Sequence, residues 1–272
     1  MGFSVAFAAA FAALAIQSAA SPPASLKPSG PWNVEYADSM CLLQRTFGSG
    51  EQSVILGFRP GMFSEHMRVV VVRKSAEKRI VRGEAQLSFD GGPPLKVPYL
   101  EHFIPSRGVR VIVIDLRDSD LAPLHKAKLF WIQAGQQGLT LIPTAFPAAM
   151  KALEACEKDL LVTWGMDPAT VASITEFPKT PGGIVGFFNT NDYPSAAIRN
   201  KEQGTAGVRF WVSTQGTVRD CKVVESSGSA ILDSQTCAII TNRGRFEPAR
   251  TASGEAVESI GFQRVRWELP GL

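Results

Sequence analysis

Between Trp32 and Trp164 the sequence is a succession of short β-branched and aromatic runs, each cut off by Gly, Pro, Asp or Ser, and this feature constrains the fold more than any other. "SMCLLQRTF", "QSVILGF", "HMRVVVVRK", "GEAQLSF", "GVRVIVIDL", "KLFWIQ" and "GLTLIP" have the length and the punctuation of strands. Strands so closely spaced predict a mainly antiparallel β domain. A short helix is expected near residues 119–126. A second, "FPAAMKALEACEKDLL", carries Met150, Leu153, Leu160 and Leu161 on one helical stripe and closes the domain.

The first twenty residues read differently. An apolar stretch from Phe3 to Ile16 is followed by Ser18, Ala19 and Ala20, the pattern of a secretory signal cleaved after Ala20. The stretch falls short of the roughly 20 apolar residues a membrane span needs. No Lys or Arg precedes it, so an uncleaved leader acting as an anchor is the alternative. Residues 21–31, "SPPASLKPSGP", form a Pro/Ser-rich spacer expected to be extended and exposed.

Export makes disulfides the expected fate of an even cysteine count. Cys41, Cys156, Cys221 and Cys237 include no CxxC pair, and His66, His102 and His125 lie far from them without ligand spacing. No metal or cofactor is therefore expected. Cys221 is expected to bond Cys237 and, by elimination, Cys41 to bond Cys156. The second bridge closes a loop of more than 100 residues, worth about 4 to 5 kcal/mol on the chain-entropy account. The formal charge of +3 is small for 272 residues, and its Lys and Arg form no clustered stripe, which argues against nucleic acid as a partner.

Residues 165–191 hold several Pro and Gly without a clear period and read as a linker, leaving 192–272 as a second domain. There Pro194 suits a first helical turn, Asp192 can cap it and Gly204 can end it. Val208, Phe210 and Val212 alternate along a strand, Ser213 to Gly216 turn the chain, and a second strand runs from Val218 to about Glu225. Leu232, Thr236, Ile239 and Ile240 have the spacing of an amphipathic helix, which "RFEPA" ends. In the last strand the apolar parity shifts between Phe262 and Val265, which suggests a bulge.

In this order, "YPSAA", "VRFWVSTQGTV", "VVESSGSAILD", "RFEPA" and the terminal "WELP" resemble the C-terminal domain of the TonB energy-transducer family over about residues 193–270. The resemblance implies a small two-layer domain with two helices on a three-stranded antiparallel sheet, so that with the β-rich domain over 32–164 and its closing helix the chain is expected to be α+β. It also implies binding rather than catalysis. Such domains leave a sheet edge to which an extended segment at the N-terminus of an outer-membrane receptor can add a strand. Glu258, Ile260, Phe262, Arg264, Arg266 and Glu268 mark the candidate edge, with Arg264 and Arg266 projecting outward. Edge-to-edge pairing of two copies is a further partnership that this edge allows, and guarding against aggregation is the simpler role for its charges. Trp267 and Leu269 read as core.

An energy transducer of this family has an N-terminal membrane helix, usually with a polar residue for coupling to a proton-driven motor, and a long Pro-rich spacer. Here the leader is short and Ala-rich and a β-rich domain replaces the spacer, which argues against inner-membrane motor proteins as partners. Two functions follow: a periplasmic TonB-family protein engaging receptors in TonB-dependent transport, or a soluble periplasmic binding or scaffold protein without energy transduction. Against an exported enzyme, the chain contains no GxSxG, HExxH, Walker loop or GxGxxG. Ser226 and Ser227 read as turn residues without a histidine in their domain, and Asp115, Asp118 and Asp120 as a solvated group near a strand end.

Overall fold

The computed structural model describes residues 25–61, 66–117, 120, 123–135, 137–180 and 183–269. The leader lies outside them, as does part of the helix expected near 119–126. Ten strands build the first sheet: β1 (Ser25–Leu26), β2 (Asn33–Ala37), β3 (Met40–Phe47), β4 (Val54–Pro60), β5 (His66–Lys74), β6 (Val81–Phe89), β7 (Leu95–Ile104), β8 (Val109–Arg117), β9 (Phe130–Ala134) and β10 (Gln137–Leu141). Their order is β1-β10-β9-β6-β7-β8-β5-β4-β3-β2, antiparallel throughout except for β1 beside β10.

Residues read as an exposed spacer close this sheet. Beyond β1, Ser29 N–H donates to Thr46 O at 3.0 Å and Gly48 N–H to Lys27 O at 2.9 Å, so one extended segment is bonded to β10 at one end and to β3 at the other. The sheet thus becomes a barrel without a long free edge. Strand alternation fills the interior: Met67, Val69 and Val71 of β5 lie opposite Leu116, Ile114 and Ile112 of β8, all buried. β7, which is not among the strands expected from alternation, carries Pro98 between two neighbouring strands. Proline is tolerated there because the ladder to β8 begins only at Tyr99, so no bond to β8 needs its missing N–H.

Helix α1 (Phe146–Thr163) buries Phe146, Met150, Leu153, Cys156, Leu160 and Leu161 against the barrel, and the Cys41–Cys156 disulfide ties it to β3. Trp32 anchors its start, donating Nε1–H to Thr144 O at 2.9 Å with its ring 5.3 Å from that of Phe146. The stretch expected as a linker folds: α2 (Pro168–Ser173) is capped by Asp167, and β11 (Ile174–Glu176) pairs with β14 (Ala249–Thr251), which pairs with β15 (Ala256–Val257).

The last sheet has the order β13-β12-β16, from β12 (Gly204–Val212), β13 (Val218–Glu225) and β16 (Ser259–Trp267). On one face lie α3 (Ser195–Arg199) and α4 (Ala230–Arg243), two helices on a three-stranded antiparallel sheet. Trp267 Nε1–H donates to Thr236 Oγ1 at 2.8 Å beneath α4. The Cys221–Cys237 disulfide joins β13 to that helix. Gly204 opens β12 instead of ending a helix, and a Cβ there would stand 2.0 Å from Ser227 O. Asp192 closes a single 3-10 turn and binds Arg243 by two bonds of 2.7 and 2.8 Å. The Arg243 hydrogen bonds, more than any other influence, hold its carboxyl below the usual carboxylate range.

The opposite face of this sheet is covered by the barrel domain. Trp211, Ile260 and Phe262 share one core with Leu160, Leu161, Trp164, Met166 and Val171. The Trp164 and Phe262 rings stack with centroids 5.8 Å apart, and Ile260 N–H donates to Met166 Sδ at 3.4 Å. This double covering explains the parity shift. β16 pairs with β12 in nine consecutive steps without a bulge, and its apolar residues change sides because both of its faces are buried: Ile260 and Phe262 toward the barrel, Val265 and Trp267 toward α4.

Candidate functional site

A sheet edge can bind an extended chain only where the backbone runs regularly and its outer N–H and C=O groups are accessible. The two edges of the last sheet differ in this respect. β13 is interrupted twice: its register against β12 shifts between Gly207 and Val208 and again between Arg209 and Trp211, the second beside Asp220 at φ +52°. Bulges of this kind spoil an edge for pairing. β16 carries none.

Backbone polarity on β16 follows from two contacts. Ile260 N–H points to Met166, and the Arg264 carbonyl accepts from the Gln263 side chain at 2.9 Å, so residues 260, 262, 264 and 266 turn their backbone groups away from β12. These four belong to the candidate edge expected from the sequence. Met166 seals the edge at Ile260. From Phe262 onward, among the described residues, no backbone partner occupies it.

This open stretch borders a groove of about 620 Å³ between the two domains. One side is β16 itself, Gly261 to Arg264. A second consists of Pro178 to Thr180 and Gly183 to Val185 with Phe210 and Phe246. The third is the outer surface of the barrel: Arg59 and Pro60 at the end of β4, His66 and Arg68 of β5, and Asp115 of β8. Gly261 is required here, because a Cβ would come within 2.6 Å of the Phe210 ring.

The barrel side is cationic. Arg59 and Arg68 are direct cross-strand partners, and Arg68 is in turn opposite Asp115. Asp115 binds Arg68 at 2.8 Å. Arg59 Nη2 is buried and, among the described residues, has no hydrogen-bond partner. Burial, and then the adjacent Arg68 charge, draw the Arg59 guanidinium below its ordinary value, against smaller opposing effects of Glu225 and Asp115.

The nominated side chains fall into distinct environments. Ile260 and Phe262 are buried against the barrel domain, so what they offer a partner is mainly backbone. Arg264 does not project outward as expected. It is half-buried, bonded to Glu225, with its guanidinium 4.8 Å over the Phe262 ring, because the barrel domain covers that face. Arg266 does project, its side chain 64% exposed, and binds Glu268 at 3.0 Å. Glu258 precedes the strand and holds Arg219 of β13 at 2.8 Å. Arg59, Arg68 and His66 were not nominated. Each lies more than 190 positions from β16 in the chain and carries no local motif.

The serines considered as nucleophiles are bound into a turn: Ser226 Oγ–H and Ser227 N–H donate to the Asp233 carboxylate at 2.6 and 2.8 Å, and Ser229 caps α4. Asp115 is engaged by Arg68, and Asp120 accepts from Arg117 N–H at 3.1 Å, while residue 118 lies outside the described residues. No group of three His, Cys, Asp or Glu side chains could hold a metal ion among the described residues.

Residues 189–269 match the family model described as Gram-negative bacterial TonB protein C-terminal. The match spans less than a third of the chain. No curated protein matches it.

Proposed function

We propose that this chain, which carries a TonB C-terminal domain over residues 189–269, binds the extended N-terminal segment of an outer-membrane receptor as an added strand along β16, in TonB-dependent transport. The domain family is transport-associated and non-enzymatic. The observation that carries the reading is the contrast between a bulge-free β16, whose backbone faces an open groove from Phe262, and a β13 broken twice. Main-chain bonds would provide affinity and alternate side chains selectivity. Peptides taken from receptor N-termini are expected to shift the amide signals of Phe262, Arg264 and Arg266. Signals unmoved at millimolar peptide would remove the proposal. Edge-to-edge dimerisation would use the same groups, so it predicts competition between peptide and self-association in sedimentation.

A second reading, a periplasmic binding or scaffold protein without energy transduction, is favoured by the core that Trp164 and Met166 share with Phe262. That contact holds the edge against a folded barrel rather than on a tether. Among the described residues no helix is long and apolar enough to cross a membrane. Export to the periplasm is part of both readings, and the two disulfides suit an oxidising compartment. Intact mass and fractionation separate them: a soluble chain beginning at Ser21 favours the second, and an uncleaved chain in the membrane fraction favours the first.

A further inference from the structure

The groove has two unlike walls, and an added strand would present alternate side chains to each. On the barrel side stand Arg59, Arg68 and His66, with Asp115 the single carboxylate among the described lining residues. On the α4 side stand Ile184, Val185 and Phe246, with Val185 80% exposed at the mouth. Two arginines directly opposite one another on adjacent strands repel. Asp115 is hydrogen-bonded to Arg68, and among the described residues Arg59 Nη2 is buried without a hydrogen-bond partner. Glu225, the other acid near this wall, is held by Arg264 and Ser39. A half-buried guanidinium beside a second arginine is an arrangement that an incoming anion would relieve.

We propose that the groove selects an extended peptide in which carboxylate side chains alternate with apolar ones, the carboxylates meeting Arg59 and Arg68 on the barrel while the apolar side chains lie against Ile184, Val185 and Phe246. This rests on strand addition to β16 and assigns the barrel domain a role in it: the barrel supplies the wall that reads charge. The open length from Phe262 to Arg266 spans about 13 Å at the usual strand rise, enough for two side chains on each wall.

The test uses the full chain and three capped seven-residue peptides: alternating Asp and Val, its Asn/Val analogue, and the Asp/Val peptide with proline at a central Val. Affinity is read by titration calorimetry and the site by amide shifts on β16. The Asp/Val peptide is expected to bind at least about tenfold more tightly than the Asn/Val one, the loss for one charge-assisted hydrogen bond. The preference should weaken with salt and shrink about tenfold in Arg59→Gln, while binding of the Asn/Val peptide stays unchanged. Arg68→Gln, which leaves Asp115 facing the peptide, is expected to reduce the preference in the same direction and serves if Arg59→Gln does not fold. Equal affinity for Asp and Asn peptides overturns the charge-reading wall and leaves strand addition standing. Undiminished binding of the proline peptide overturns the extended geometry. Absence of binding by all three at millimolar concentration overturns this inference, whereas failure of the receptor peptides to shift β16 is what removes strand addition itself.

Discussion

The two edges of the C-terminal sheet are made from strands of nearly equal length, and only one of them runs without a bulge. β13 is bulged twice and stapled to α4 by Cys221–Cys237. β16 keeps register with β12 over its whole length and is backed by the barrel domain through Trp164 and Met166. The lesson is that accessibility and regularity are separate requirements. β13 is the more exposed strand but presents an irregular backbone, while β16 is largely buried in its side chains and still presents a usable row of outward N–H and C=O groups.

The contrast can be broken most strongly at the barrel contact. Trp164→Ala should destabilise the protein by about 3 to 5 kcal/mol, as for a buried large aromatic. It should raise hydrogen exchange along β16 far more than along β13, and equal rises on both edges would mean that the barrel does not hold β16. Replacing Cys221 and Cys237 with serine is the converse: a loss of about 3 kcal/mol for a loop of this size, with exchange rising on β13 and peptide affinity at β16 unchanged. A denaturant titration with and without peptide checks both halves of that statement.

A smaller effect is expected at Gly261, where a Cβ would press on Phe210. Gly261→Ala should cost about 1 to 3 kcal/mol by overpacking and displace the groove floor, weakening peptide binding, whereas Gly30→Ala, where the added Cβ meets no atom within 4 Å and φ is not positive, should leave binding intact. The smallest prediction concerns pH. Glu157, half-buried on α1 near its contact with β3, is pushed up to about 8 by burial and then by Glu154. Because its folded value lies above the ordinary one near 4.5, the unfolded chain ionises first. Stability therefore falls as pH rises through that interval. Glu157→Gln should flatten this fall, raising the melting temperature at pH 9 and leaving it nearly unchanged at pH 4. An unchanged melting temperature at pH 9 would show Glu157 to be well solvated.

Much of the fold was legible because it is written in local periodicity. Alternation marked most of the barrel strands, the Met150, Leu153, Leu160 stripe marked α1, and the order of short motifs from Tyr193 to Pro270 marked the C-terminal domain. The misreadings share one cause. Pro98 hid β7, residues 25–29 looked like a spacer, and the parity change in β16 looked like a bulge, because in each case the partner that makes the conformation favourable is remote in sequence. Of the candidate site, the parity of 260, 262, 264 and 266 was legible, and the environment of Arg264 was not.

By itself, then, the sequence determined most of the barrel strands, which cysteines are paired and which domain type follows the barrel, since each of these depends on residues within a few turns of one another or on a count too small to allow many solutions. Tertiary structure alone decided that the barrel closes through Lys27 to Ser29, that it covers one face of the second sheet, and that Arg59 and Arg68 stand across a groove from Phe262. Those relations join residues that have no periodic or spacing rule in common. The first follows from backbone bonds between Lys27 to Ser29 and β3, and the other two from burying Trp164, Met166, Ile260 and Phe262 together, which removes more apolar surface from water than either domain could bury alone.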